Sequence, residues 1–271
     1  MIKKIYWLSS YPKSGNTWLR IFLANYIKNK FININNIEFL GYISSSKFIF
    51  NKYNNINCSK LSINDRDLMR SNVYQKLNDN SSSFLYNKCH DKYDKNIFSS
   101  SYSKGIIYII RNPLDIVISF SKHYGLSIDD TIKKINNKNH KLSGKIDAKQ
   151  LRQKLGTWSE HVISWTEQKE IPILIVKYED MLDNTFNEFK KIINFLNLNF
   201  NEKRLINSIN YSSFNFIKKQ EINNGFKERS NKSEFFFNTG IKNNYKKYLN
   251  QQQIDNIINN NYDIMLKFKY I

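Results

Sequence analysis

A chain of 271 residues, 41% hydrophobic and 15% aromatic, has material for one sizeable core, which excludes a disordered protein. The formal charge of +19 invites a nucleic-acid or polyanion reading, but 40 asparagines, with only seven arginines among 42 basic residues, point to codon bias, and the global charge is discounted. Cys58 and Cys89 are too few for a disulfide framework and lack metal-ligand spacing, the N-terminal apolar run is too short for a signal-peptide core, and no stretch approaches a membrane span; a reduced, cytoplasmic setting is expected.

In chain order, residues 4–9 read as a short buried strand that ends in a turn at Ser10-Tyr11-Pro12. Residues 16–28 carry Trp18, Leu19, Phe22, Leu23 and Tyr26 at helical spacing, so the opening is strand, tight loop, helix. Residues 31–82 lack a clean period and are expected to be irregular with some helix. Phe84-Leu85-Tyr86 reads as a strand leading into Lys88-Cys89-His90. The β-branched run Ile106-Ile107-Tyr108-Ile109-Ile110 is the best candidate for a central parallel strand, followed after Arg111-Asn112-Pro113 by a helix through Ile116, Val117, Phe120 and Tyr124. Residues 129–155 are Lys- and Asn-rich and read as a mobile surface flap. A helix over 157–169, a strand over 171–176 and a helix over 186–198 come next, and the last third is helical and loop-rich. Alternating strands and helices without a linker predict one α/β domain over residues 1–271, with a mainly parallel sheet of four or five strands flanked by helices.

The loop Tyr11-Pro12-Lys13-Ser14-Gly15-Asn16-Thr17-Trp18 joins the first strand to the first helix, where phosphates commonly sit in α/β folds. Gly15 allows close backbone approach to an anion, Lys13 adds a cation, and Ser14 and Thr17 add hydroxyl donors. The Lys precedes the only Gly, so the pattern of nucleoside-triphosphate P-loops fails. An ordinary Ser-capped, Gly-turned helix start also fits these residues. The string resembles the 5′-phosphosulfate loop of the sulfotransferase family, Y-P-K-S-G-T-T-W, with Asn16 in place of one Thr. The resemblance implies that Lys13 reaches the bridging oxygen of the leaving phosphate, that amides from Ser14 to Thr17 hold the 5′-phosphate, and that Trp18 stacks near the adenine.

Arg111-Asn112-Pro113-Leu114-Asp115-Ile116-Val117-Ile118-Ser119 resembles the family's 3′-phosphate motif, R-N-P-x-D-x-x-x-S. Arg111 follows a predicted parallel strand, where open α/β sheets bind ligands, and its planar fork suits a phosphate; Ser119 lies two turns into the next helix. An Arg capped by Asp115 is the plainer alternative. Two phosphate-type loops fit a ligand with two phosphates. Lys88-Cys89-His90 is similar to the family's K-T-H segment, which implies His90 as general base and Lys88 as an aid to charge on the transferring group. A Cys89–His90 protease dyad is disfavoured, since strand neighbours point to opposite faces. Gly156-Thr157-Trp158-Ser159-Glu160-His161-Val162-Ile163-Ser164-Trp165 resembles G-S-W-x-x-H-V-x-x-W and reads as packing, with His161 structural. Tyr178-Glu179-Asp180-Met181 matches Y-E-D-M, and Ser212-Ser213-Phe214 resembles the T-S-F adenine segment; Tyr178, Ser212 and Phe214 are thereby assigned to the nucleotide.

The family's R-K-G motif stands here as Asn238-Thr239-Gly240, so Gly240 remains while both cations are gone; either other donors replace them, Arg229 or Lys242 being the candidates, or cofactor affinity is reduced. The dimer motif survives only as Lys246, Asn250, Gln251 and Asp255, which leaves the oligomeric state open. The resemblance implies transfer of a sulfuryl group from 3′-phosphoadenosine 5′-phosphosulfate (PAPS) to a hydroxyl or amine of a small-molecule, lipid or glycan acceptor. It calls for no metal, no nucleic-acid partner and no membrane span. Two rivals stay open. One is a P-loop-like nucleotide or sugar kinase with Asp115 as base; the other is a non-catalytic polyanion binder driven by net charge.

Overall fold

The protein's structure, a computed structural model, describes residues 2–142 and 149–271. It opens with β1 (Ile5–Ser10), every residue of which is buried, and α1 (Asn16–Lys28), which starts at Gly15 and stops at Asn29 in the left-handed region. The stretch 31–82, expected to be irregular with some helix, holds α2 (Lys47–Asn54) and the long α3 (Ile63–Asn80). Then come β2 (Leu85–Cys89), β3 (Ser103–Ile110), α4 (Pro113–Tyr124) and α5 (Ile128–Ile135). The short strands β4 (Lys141–Leu142) and β5 (Gln153–Lys154) pair antiparallel. The expected flap covers both of them; its residues 143–148 lie outside the described residues. The chain continues through α6 (Trp158–Thr166), β6 (Ile173–Lys177), α7 (Tyr178–Asp183) and α8 (Thr185–Phe195). It closes with α9 (Glu202–Tyr211), α10 (Phe214–Asn224) and α11 (Gln251–Lys267).

The fold is α/β. Four strands form a parallel sheet in the order β2-β1-β3-β6, flanked by helices, and β3 is an interior strand as its β-branched run predicts. The chain forms two compact units, each assembled from three separate stretches. The first comprises Met1–Tyr11, Gly41–Tyr108 and Asn137–Ile175; the second comprises Pro12–Leu40, Ile109–Asn136 and Val176–Ile271.

In the first unit, β1 and β2 run in register from Ile5 opposite Leu85 to Ser9 opposite Cys89. Trp7 of β1 is wholly buried; Tyr74 and Phe98 meet its ring at 4.9 Å, and its indole N–H donates to Ser103 Oγ at 2.8 Å. That bond satisfies the one polar group a buried Trp brings into a core. Trp158, Val162 and Trp165 of α6 are fully buried, as their helical spacing predicts. Thr157 and Glu160 close the helix start with a capping box.

In the second unit, Phe22 of α1 stacks on Phe189 of α8 with centroids 3.9 Å apart, and Trp18 meets the same ring edge-on at 5.4 Å. α4 carries its own start and stop signals. Asn112 caps it by accepting the Leu114 N–H, Pro113 occupies the first turn, and Gly125 ends it at φ 61°. The Asn-Pro pair after Arg111 is therefore the device that turns a strand into a helix.

Candidate active site

The second unit brings together most of the residues assigned to the nucleotide. Lys13 and Gly15 both adopt positive φ, 72° and 102°, which turns the chain sharply at the start of α1. The first amides of that helix have no intrahelical acceptor and carry the positive end of its dipole. Ser14, Asn16 and Thr17 are buried. Ser14 Oγ and Trp18 Nε1 are buried without a hydrogen-bond partner. A Cβ on Gly15 would lie 2.7 Å from Cδ2 of Tyr178, so this position needs glycine for both conformation and space. Gly15→Ala is expected to cost about 1–3 kcal/mol in strain and to weaken nucleotide binding about tenfold or more. Calorimetry beside a melting curve checks this, and wild-type affinity in the variant would show that Tyr178 yields without consequence.

Arg111, at the end of β3, is buried and reaches back to the same loop. Its Nη1 donates to the Lys13 carbonyl at 2.9 Å and its Nη2 to the Ile241 carbonyl at 3.4 Å. The guanidinium also lies over the Tyr178 ring, 4.2 Å from its centroid, and Nε has no partner. Asp115 does not cap Arg111. Its buried carboxylate accepts the Asn243 and Tyr245 N–H groups at 2.7 and 2.9 Å, so it is already engaged by backbone and is poorly placed to serve as a kinase base. Ser119 is half-buried on α4. Glu179 accepts the Asn112 N–H at 3.0 Å and the Tyr270 hydroxyl at 3.1 Å; burial holds its carboxyl above the usual range.

The C-terminal segment joins this group. A Cβ on Gly240, which has φ 62°, would meet Cδ2 of Phe214 at 2.2 Å, so the remnant of R-K-G packs directly on the T-S-F segment. Ser212 is fully buried, and its hydroxyl turns back to the Ser208 carbonyl at 2.8 Å, closing α9. The two candidate replacement cations are engaged elsewhere: Lys242 pairs with Asp183, and Arg229 donates to the Glu234 carbonyl at 2.7 Å. Sequence reasoning missed Phe236. Its ring carries the Lys13 ammonium 3.9 Å from the centroid and meets His123 edge-on at 5.6 Å. Glu221 holds that segment by accepting the Phe236 and Phe237 N–H groups. The run Phe235-Phe236-Phe237 was the only sequence signal for it.

The first unit holds the residues assigned to acid–base work. The β1/β2 register ends at Ser9 and Cys89, which sets His90 beside Ser10. His90 Nδ1 lies 2.8 Å from the Ser10 carbonyl; a carbonyl only accepts, so Nδ1 carries the proton. The His90 carbonyl in turn lies 3.1 Å from Nε2 of His161, whose Nδ1 is 2.8 Å from the Tyr108 hydroxyl. His161 is fully buried, and desolvation lowers its pKa to about 3. The next residue, Asp91, accepts the Arg70 fork at 2.8 and 2.6 Å, and its carbonyl accepts the Trp165 indole N–H at 2.9 Å. Lys88 is half-buried in β2, its backbone tied to residues 42 and 44. Burial raises the Cys89 thiol well above its ordinary pKa, which leaves it inert beside His90. A Tyr11 hydroxyl contact to His140 Nδ1 at 3.0 Å also went unforeseen.

The model of the sulfotransferase domain matches residues 3–264. The chain belongs to the sulfotransferase family. It is 29% identical over 133 residues to 3-alpha-hydroxysteroid sulfotransferase of Cavia porcellus, covering 49% of this chain and 44% of the relative. To sulfotransferase 1B1 of Mus musculus it is 25% identical over 226 residues, 80% and 66% of the two chains. The match thus spans under half the length of the first of these relatives. Among solved structures, mouse sulfotransferase SULT7A1 complexed with PAP superposes with a TM-score of 0.62 at 20% identity, over 98% of this chain and 86% of that one. Retinol dehydratase in a complex with retinol and PAP gives 0.67 at 15% identity, over 98% and 82%. Both likenesses establish the sulfotransferase fold.

For a family member, the second unit presents a consistent chemistry. Its donors (helix-start amides, hydroxyls, an ammonium and a guanidinium) are of the kind that take phosphate oxygens, and its aromatic rings are of the kind that take a base. Three buried donors in this group, Ser14 Oγ, Trp18 Nε1 and Arg111 Nε, have no protein acceptor, which fits a site built for an acceptor-rich ligand. Among the described residues, no group of His, Cys, Asp or Glu is arranged to hold a metal ion, and no helix is long and apolar enough to cross a membrane.

Proposed function

We propose that this chain transfers a sulfuryl group from PAPS to a hydroxyl or amine of a small-molecule, lipid or glycan acceptor. The observation that carries the reading is the meeting of the Lys13–Trp18 loop, Arg111 and Tyr178 within one unit, through the Arg111 bond to the Lys13 carbonyl and its stacking on Tyr178. Two proteins of like fold form complexes with PAP, which supports the donor, and retinol in one of them supports an apolar hydroxylated acceptor.

The donor supplies an activated sulfur with adenosine 3′,5′-bisphosphate as its leaving group. Amides of Ser14 to Thr17 and the Ser14 hydroxyl hold the 5′-phosphate, while Lys13 neutralises charge at the bridge. Arg111 and Ser119 take the 3′-phosphate. Trp18, Tyr178, Ser212 and Phe214 line the adenine, with Gly240 closing against Phe214. His90 Nε2 accepts the proton that the acceptor hydroxyl loses as its oxygen attacks, and Lys88 offsets charge on the transferring group. Positioning and electrostatics carry most of the rate.

The test is labelled-sulfate transfer from the nucleotide donor to a panel of hydroxyl and amine acceptors. Transfer to any of them is the expected result. Salt-sensitive binding of nucleic acid or sulfated glycan with no transfer at all would favour the polyanion binder.

A further inference from the structure

We propose that His161 is a positioning residue for the base: held between the Tyr108 phenol and the His90 carbonyl, its imidazole fixes how the His90 ring is presented. The proposal rests on the reading of His90 as the base.

His90, half-buried, follows the last residue of β2, so the strand ladder no longer accounts for its carbonyl, which needs another donor on its protein side. His161 supplies one. A carbonyl cannot donate, so the proton of the His161 imidazole sits on Nε2, and Nδ1 accepts from the Tyr108 hydroxyl. Tyr108 is fully buried on the interior strand β3, so the far end of this relay is anchored in the sheet. The peptide unit after His90 is pinned as well. The Asp91 carbonyl takes the Trp165 indole N–H, from the residue four positions beyond His161 on the same face of α6, and its carboxylate takes the buried Arg70 fork. Nδ1 of His90 donates to the Ser10 carbonyl, which fixes the ring from its other side and makes Nε2 the nitrogen assigned to the acceptor's proton.

A side chain that only filled this space would need no polar atoms, and burying an imidazole costs more than burying a thioether of similar size. Both polar atoms of His161 are used, in the order that orients the base. Burial also keeps the ring neutral, as the single-proton arrangement requires.

Three variants separate positioning from packing. His161→Gln keeps a donor near the position of Nε2, His161→Met keeps volume only, and Tyr108→Phe removes the far hydroxyl. His161→Met is expected to lower kcat by about 10–100-fold, as misplacement by about an ångström does, while affinity for adenosine 3′,5′-bisphosphate stays within about twofold. His161→Gln should recover most of that loss, and Tyr108→Phe should fall between. Equal losses in the Met and Gln variants, tracking their melting temperatures, would reduce His161 to packing. Wild-type kcat in a folded His161→Met protein would overturn the proposal outright. Should the Met variant fail to fold, Tyr108→Phe decides: lower kcat at unchanged bisphosphate affinity supports the relay, and unchanged kcat overturns it. His90→Ala, run alongside, keeps the two readings apart. If it is active, the base assignment fails; if it is inactive while His161→Met is fully active, only the positioning role fails.

Discussion

Replacing His90 with alanine is expected to lower turnover by about 10²–10⁴-fold, the range typical of a lost general base. Affinity for the bisphosphate product should stay within about twofold, because the imidazole is assigned to the acceptor's proton and not to either phosphate. Lys13→Ala should behave differently. That ammonium is assigned to the phosphosulfate bridge in both ground and transition states, so affinity and turnover should fall together. Single-turnover rates and calorimetric affinities on the two variants separate the roles. A His90→Ala enzyme with near wild-type turnover would remove the base assignment and leave the donor site standing.

Arg111→Ala should erase the preference for adenosine 3′,5′-bisphosphate over 5′-AMP. A fork on the 3′-phosphate is a charge-assisted, buried contact, and truncating such a partner costs about 2–5 kcal/mol. The loss should fall on the bisphosphate alone, since 5′-AMP lacks the group that Arg111 would hold. Removing the fork also abandons the Lys13 and Ile241 carbonyls and exposes the face of Tyr178, so melting curves must accompany the titrations. Arg111→Lys is the sharper comparison. It keeps the charge but neither the planar fork nor the stack, and should recover only part of the discrimination. Equal affinities of the wild-type protein for the two nucleotides would count heavily against PAPS as donor.

The elements around the nucleotide were readable in the sequence because each carries its own signals. α1 has both a strong apolar period and a Gly at its start, and α4 has Asn, Pro and Gly at its two ends. α3 was not readable, for a physical reason. The face it buries includes Arg66, Asp67, Arg70 and Asn78 beside Val73, Tyr74 and Leu77, so its buried stripe is not an apolar one. Arg70 can lie there because Asp91 takes its fork, a partner that periodicity cannot supply. The site shows the same division. Motif spacing located Lys13, Arg111 and Tyr178, whereas the ring beneath the Lys13 ammonium belongs to Phe236, far along the chain. The His161 link to His90 runs through a backbone carbonyl, which leaves no trace in residue identity. Spacing likewise does not show that the two cations offered in place of the missing ones, Arg229 and Lys242, lie against the Glu234 carbonyl and Asp183.

The interleaving of the two units has a consequence for biosynthesis. The chain alternates between them, so no contiguous fragment contains either one without part of the other. The unit that carries His90 lacks its last stretch until Ile175 has been made, and the other waits for residues as late as Gly240 and Tyr270. At roughly 5–20 residues per second, the ribosome holds an incomplete chain for many seconds, with β1 and its apolar neighbours still awaiting partners from distant sequence. The first unit can therefore close ahead of the second, which still lacks residues 176–271 when Ile175 has been made. A chain truncated before Gly240 is expected to lose nucleotide binding, which calorimetry on the fragment checks.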